Sequence, residues 1–253
     1  MTLTVHQFAC LSDNYGFLIR DDATGKTASI DTPDAAAILA QLKGLGWGLD
    51  FIFNTHWHAD HAGGNAEIKA ATGCYIVGPA EVTRIAPLDR TVVGGDEVML
   101  GETHFGVIET GGHTLGHIAY FDDADRVAFV GDTLFALGCG RMFEGEPKQF
   151  WASLSRLAAL PDDTKVYCAH EYTASNARFA LSVDPDPGLR ARADAVFAAR
   201  ERGEPTVPTT IGLEKATNPF LRAPVLAARV GKAGAPDYEA FAAVRAAKDA
   251  FRG

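Results

Sequence analysis

Three of the chain's eight histidines fall within six residues, in the run Asn54-Thr55-His56-Trp57-His58-Ala59-Asp60-His61. Neutral imidazoles and a carboxylate are donors suited to zinc, iron or manganese. His56 and His58 are two apart, so an extended segment turns both to one side and Trp57 to the other. Asp60 and His61 lie where Ala62-Gly63-Gly64 begins a turn, and can reach a second point close by. Four donors this dense exceed what one tetrahedral cation takes alongside ligands from elsewhere, so the spacing favours two cations. Three later segments offer the remaining donors: the glycine-lined loop Gly111-Gly112-His113-Thr114-Leu115-Gly116-His117, then Val130-Gly131-Asp132-Thr133, then Cys168-Ala169-His170-Glu171. Two cations sharing a water lower its pKa towards neutrality, which is hydrolytic chemistry. The sequence carries no nucleophile elbow. Cys139, in the turn Gly138-Cys139-Gly140-Arg141, is the one cysteine weighed as a nucleophile, and it reads as a packed turn residue.

These segments need elements that bring them to a common edge. Up to about residue 168, short β-rich runs alternate with turn signals and a few helices. Strands are expected at residues 5–8, 17–20, 28–31, 50–55, 75–77, 103–109, 118–121, 127–130 and 165–168. The histidine run, His113, Asp132 and His170 then each follow a strand end. A helix over 35–45 is expected to open with Thr32 as N-cap, Pro33 at the first helical position and Asp34 in the first turn. Further helices are expected at 66–71 and 150–160. Beyond residue 168 strands become scarce. Helices at 174–183 and 189–202 are divided by Asp184-Pro185-Asp186-Pro187, and a last one runs near 238–251. The reading is an α/β domain over residues 1–168 followed by an all-helical domain over 169–253. His6 and His104 sit in strand patterns without companions and read as structural.

The 253 residues, 47% apolar and 22% charged, suffice for one substantial core or for a large domain with a small partner. That excludes a disordered or fibrous chain. No apolar run approaches the ~18 residues of a membrane span. The first stretch, interrupted by Asp13 and Arg20, does not read as a signal peptide. A net charge of −9 argues against nucleic acid as a partner. The charge is uneven: residues 1–166 carry 11 Lys/Arg against 22 Asp/Glu, and the remainder 12 against 10. Cys10, Cys74, Cys139 and Cys168 are scattered without a CxxC pair, which fits a reducing, cytoplasmic location.

Taken in order, THWHADH at 55–61, GHTLGH at 112–117, GDT at 131–133 and AHEY at 169–172 resemble the metallo-β-lactamase superfamily. With Ser12-Asp13-Asn14-Tyr15, LFALGCGRMFE at 134–144, VYCAHEY at 166–172, NPFLR at 218–222 and VRAAKD at 244–249, the chain resembles the glyoxalase II (hydroxyacylglutathione hydrolase) family from about residue 5 to 251. The resemblance implies an α/β fold, a four-layer αββα sandwich followed by a small all-helical C-terminal domain. It implies that His56, His58 and His113 hold one metal ion, that Asp60, His61 and His170 hold a second, and that Asp132 bridges them. Asp132, Asp60 and His61 are then the catalytic positions. Two divalent ions are implied, zinc foremost with iron or manganese acceptable. The implied reaction is hydrolysis of S-2-hydroxyacylglutathione, with S-D-lactoylglutathione giving D-lactate and glutathione, the second step of methylglyoxal detoxification. Arg141, Tyr172, Arg245 and Lys248 are implied to bind glutathione, and positions 245 and 248 share a helix face. Phe143 stands where a tyrosine often makes such a contact, and a missing neutral hydrogen bond costs about 0.5–1.5 kcal/mol. With seven ligands so assigned, His117 reads as a supporting residue. The expected partner is a small-molecule thioester, with no nucleic acid or membrane, and the chain is expected to be monomeric. A glutathione persulfide dioxygenase with a single iron is the alternative within the superfamily; that branch usually lacks the helical tail.

Overall fold

The computed structural model describes residues 2–252. Contacts divide the chain into one unit made of Met1–Glu109 with Gly116–Gly131 and another made of Thr110–Leu115 with Asp132–Gly253. In the first unit β1 (Leu3–Cys10), β2 (Asn14–Asp21) and β3 (Thr27–Ile30) pair antiparallel in succession. β3 then pairs in parallel with β4 (Phe51–Phe53), β4 with β5 (Tyr75–Gly78), and β5 with β6 (Arg90–Thr91). Parallel neighbours need crossovers. α1 (Ala35–Leu45) joins β3 to β4, and the short α2 (Ala59–Ala62) with α3 (Asn65–Thr72) joins β4 to β5.

Strand alternation sorts the side chains between two faces. Leu18, Ile52 and Ile76 pack with Ile38, Leu42 and Ile68 of the helices in one buried cluster. Phe17 and Phe53 point the other way, towards β7 (Glu97–Leu100), β8 (Thr103–Glu109), β9 (Ile118–Asp122) and β10 (Val127–Gly131), which run antiparallel in the order β10-β9-β8-β7. Phe17 meets Phe129 at 5.8 Å, and Phe53 meets Phe105 at 6.0 Å and Tyr120 at 5.5 Å. These rings form the core between the two sheets.

Thr32 does not cap α1. Asp34 does, accepting from the Ala37 amide at 3.0 Å, and Pro33 lies ahead of the cap. The Thr32 hydroxyl is buried and donates instead to Asn65 Oδ1 at 2.8 Å, tying the end of β3 to α3.

The second unit contains the hairpin strands β11 (Leu134–Phe135) and β12 (Gly138–Cys139), then α4 (Pro147–Ala158), β13 (Lys165–Cys168), α5 (Thr173–Val183) and α6 (Pro187–Glu201). β14 (Thr209–Thr210), α7 (Ile211–Thr217), α8 (Ala223–Leu226) and α9 (Asp237–Ala250) follow. Asp186, from the expected breaker, caps α6 by accepting from the Gly188 and Leu189 amides. Among the described residues beyond 168, β14 is the one strand, and it pairs with β13 through Lys165↔Thr210. Leu137 packs among Ala177, Ala180, Leu189 and Ala193 of α5 and α6. Phe241 of α9 meets Phe150 of α4 at 5.6 Å and Phe220 at 6.3 Å. Among the described residues no helix is long and apolar enough to cross a membrane.

Candidate metal centre

Parallel β3 and β4 end side by side, with Ile30 opposite Phe53, and the chain beyond such ends is where α/β sheets place their chemistry. Asp31 follows β3 in the left-handed region at φ 56°, and its amide donates to Phe53 O at 3.0 Å. Asp31 is the residue around which the first group of donors is arranged. Its Oδ1 accepts from the Thr55 amide at 2.7 Å. Its Oδ2 accepts from the Thr55 hydroxyl at 2.7 Å and from His61 Nδ1 at 2.8 Å. Thr55 has a single hydroxyl proton, so once it is given to Asp31 the oxygen accepts from His56 Nδ1 at 3.0 Å. The hydrogen-bond pattern thus assigns the ring proton of His56 and of His61 to Nδ1 and makes Nε2 the basic nitrogen, as metal-ligating histidines require. His56 Nε2 stands 3.1 Å from His58 Nδ1, and His61 Nε2 stands 3.5 Å from Asp60 Oδ2. Asn14 donates to Asp60 Oδ2 at 3.1 Å. Both oxygens of Asp31 accept hydrogen bonds, so it holds the Thr55 hydroxyl and the His61 ring in place.

Two neighbours complete this group. The His117 ring stacks on His56 at 4.7 Å, a supporting position. Gly131 sits at φ 47°, and a Cβ there would lie 2.6 Å from Thr55 Oγ1, which accounts for the glycine ahead of Asp132. Trp57 carries the Arg84 guanidinium over its ring at 4.5 Å.

The second unit holds its own group of donors. His113 Nδ1 lies 2.7 Å from the Arg141 carbonyl; that oxygen can only accept, so Nδ1 carries the proton here too. His113 Nε2 faces Asp132 Oδ2 at 3.3 Å, and His170 Nε2 faces Asp132 Oδ1 at 3.3 Å. All three residues are buried. A carboxylate with an imidazole nitrogen at each oxygen is suited to bridging two cations. Gly140 is required beside it, because a Cβ there would meet Asp132 O at 1.9 Å.

His113 and Asp132 open into a cleft of about 370 Å³ that is also lined by Arg141, Phe143, Tyr172, Arg245 and Lys248. Arg245 is buried; its guanidinium donates to Cys139 O at 3.1 Å and to Asp249 Oδ1 at 2.9 Å. Asp249 Oδ1 also lies 3.7 Å from Arg141 Nε. Lys248 Nζ donates to Ser175 O at 3.2 Å, and burial together with the Arg245 charge brings its pKa down to about 8. The Tyr172 ring stacks on His170 at 4.7 Å with the planes 2° apart. Phe143 is exposed and presents its ring to His113 at 5.2 Å. Burial pushes the Cys139 thiol up to about 11, so it is protonated at neutral pH and is no nucleophile.

The donor chemistry fits divalent cations: imidazoles, three of them with the tautomer set by the partner at Nδ1, and carboxylates placed beside them. Sequence reasoning does not single out Asp31 or Thr55 as supports, and marks Asn14 only within a motif. Their one sequence signal is position at a strand end: Asp31 directly follows β3, Thr55 lies just beyond β4, and Asn14 opens β2.

The metallo-beta-lactamase superfamily model matches residues 22–170, and the hydroxyacylglutathione hydrolase C-terminus model matches residues 171–251. A hydroxyacylglutathione hydrolase of Erythrobacter litoralis is 57% identical over 252 residues, covering 98% of this chain and 100% of that protein. The chain belongs to the hydroxyacylglutathione hydrolase family. It is also similar to a hydroxyacylglutathione hydrolase of Maricaulis maris, 56% identical with 98% and 99% of the two chains covered. Among solved structures, ETHE1 from Myxococcus xanthus is similar with a TM-score of 0.69 at 27% identity, covering 98% of this chain and 99% of that one. TTHA1623 in a di-iron-bound form gives a TM-score of 0.62 at 26% identity, covering 86% and 100%. The fold is accordingly the α/β metallo-β-lactamase fold with a helical C-terminal domain.

Proposed function

We propose that this chain hydrolyses the thioester of S-2-hydroxyacylglutathiones, S-D-lactoylglutathione foremost, releasing the hydroxy acid and glutathione in the second step of methylglyoxal detoxification. The observation that carries the reading is the cleft in which His113 and Asp132 adjoin three basic side chains suited to an anionic thiol. Full-length similarity to hydroxyacylglutathione hydrolases supports it.

On this reading His56, His58 and His113 would hold one divalent ion, Asp60, His61 and His170 a second, and Asp132 would bridge them. Zinc is the first expectation, with iron or manganese within the range of the donors. The di-iron form of a similar protein supports two ions. Such ions supply a water of lowered pKa and an electrophile for the thioester carbonyl. The chain's own residues do the rest. Asp31, Thr55 and the Arg141 carbonyl keep the imidazole protons on Nδ1. Arg141, Arg245 and Lys248 bind the glutathione carboxylates, and Tyr172 offers its hydroxyl to the peptide backbone. A thiol of pKa about 8.5 leaves as thiolate with little protonation.

Residues 1–168 act as the metal-binding catalytic domain and 169–253 as the helical domain contributing to glutathione binding, a division supported by where the two family models meet. A monomer in a reducing cytoplasm completes the reading, in keeping with four free, buried cysteines. The single-iron persulfide dioxygenase reading has less support, because the helical segment matches the hydroxyacylglutathione hydrolase C-terminus. The test is hydrolysis of S-D-lactoylglutathione by metal-replete protein, followed as loss of thioester absorbance, with Asp132→Ala as the blank. Turnover that vanishes in the blank supports the proposal; no turnover from protein shown to carry metal refutes it.

A further inference from the structure

The segment NPFLR at 218–222 has no part in the chemistry above, yet its first residue reaches the hairpin that follows Asp132. The two protons of Asn218 Nδ2 are shared among three acceptors, Phe135 O at 3.1 Å, Gly138 O at 2.9 Å and Glu214 Oε2 at 2.9 Å. Glu214, one helical turn earlier on α7, is completely buried, and its Oε2 accepts from the Leu137 amide at 2.9 Å. Its Oε1 accepts from the Thr209 hydroxyl at 2.6 Å and from the Arg192 guanidinium. Both carboxylate oxygens are thus met by donors only, one side facing the hairpin and the other facing α6 and β14.

The hairpin needs such holding. Leu137 at its tip is in the left-handed region at φ 57°, which a branched side chain rarely occupies unless its surroundings impose it. Its far end carries the Cys139 carbonyl that receives Arg245. A buried ion pair is a weak source of stability, and its better-attested use is to select one conformation.

We propose that Glu214 and Asn218 are positioning residues for the glutathione side of the site: they fix the 134–139 hairpin, and the hairpin fixes Arg245 through the Cys139 carbonyl. This rests on the hydrolase reading above. The two sides of Glu214 provide the test. Asn218→Ala removes the side-chain donor to Phe135 O, Gly138 O and Glu214 Oε2, and the acceptor for the Phe220 amide, leaving only the Leu137 amide on Oε2. Thr209→Val removes one donor to Oε1 and leaves Arg192 there. Both variants, as metal-replete full-length protein, are compared with the wild type for steady-state kinetics on S-D-lactoylglutathione, binding of S-hexylglutathione by calorimetry, metal content, melting temperature and hydrogen exchange over 134–139. Asn218→Ala is expected to raise KM and the S-hexylglutathione Kd roughly tenfold, with kcat within about twofold and metal content unchanged. It is also expected to lose exchange protection at the Leu137 amide. Thr209→Val is expected to melt lower while KM, Kd and protection stay as in the wild type. A wild-type KM in Asn218→Ala, or equal KM shifts in both variants, overturns the proposal. Should Asn218→Ala fail to fold, Asn218→Ser, which keeps one donor, is read by the same criteria. If the wild type does not hydrolyse the thioester, the functional reading fails by itself, and Leu137 exchange with S-hexylglutathione binding still decides whether the pair positions the hairpin.

Discussion

Asp31→Asn is the substitution whose effect follows most directly from the geometry. The amide retains one oxygen, and the Thr55 backbone N–H, 2.7 Å from Oδ1, fixes where that oxygen sits. The NH₂ then replaces Oδ2 and faces the Thr55 hydroxyl and His61 Nδ1. Two donors cannot share that contact, so His61 must move its proton to Nε2, the nitrogen a cation needs. Thr55, now accepting from the amide, turns its hydroxyl proton towards His56 Nδ1 and drives the same change there. Each lost charge-assisted hydrogen bond is worth about 1.5–3 kcal/mol, and loss of such outer support typically weakens metal binding about 10–100-fold. Equilibrium dialysis against graded free zinc, read as metal per protein, measures this, with thioester turnover recorded at each point. The expected result is at least one equivalent bound about 10–100-fold more weakly, with activity recovering as zinc is raised. Wild-type affinity for every equivalent in a folded Asp31→Asn protein would refute the tautomer argument.

Lys248, with its pKa lowered to about 8, is charged below that pH and loses its charge as pH rises through it. On the proposed binding role, KM for glutathione thioesters should climb above pH 8, and in Lys248→Arg, whose guanidinium stays charged, KM should remain flat across that range. Cys139→Ser should keep kcat within about threefold of wild type, because a thiol held near 11 is protonated; a loss on the order of a thousandfold would point to covalent catalysis after all. Asp21 is buried, which by itself would raise its pKa, but hydrogen bonds from Thr24, Thr103 and the Glu102 amide outweigh this and hold it at about 2. Its contribution to stability is present above the ordinary value of 3.8 and is lost as pH falls towards 2. Melting curves of Asp21→Asn should accordingly lie below wild type at pH 7 and converge with it at the acid end.

The metal-type donors are legible in the sequence because they are dense or follow a strand pattern. The histidine run lies at the end of an apolar strand, and His113, Asp132 and His170 each lie after another. What supports them was not legible. Asp31 acts across the sheet on residues 24 and 30 positions later, and nothing local distinguishes it from any acidic strand end. Thr32 read as a cap because its local sequence favours one, yet a tertiary bond to Asn65 claims its hydroxyl. α7 leaves little trace in the sequence, because a seven-residue helix starting Ile211-Gly212 has little periodicity. Glu214 on it resembles an ordinary solvated charge, and only packing reveals that it is fully buried.

The 134–139 hairpin starts two residues after Asp132 and ends at the carbonyl that seats Arg245. On the proposed reading it works as a ruler, setting the span between the bond to be broken and the anchored thiol carrier. An insertion or deletion within it would shift both ends at once. On that reading, divergence towards a longer or shorter thiol requires recutting the hairpin itself.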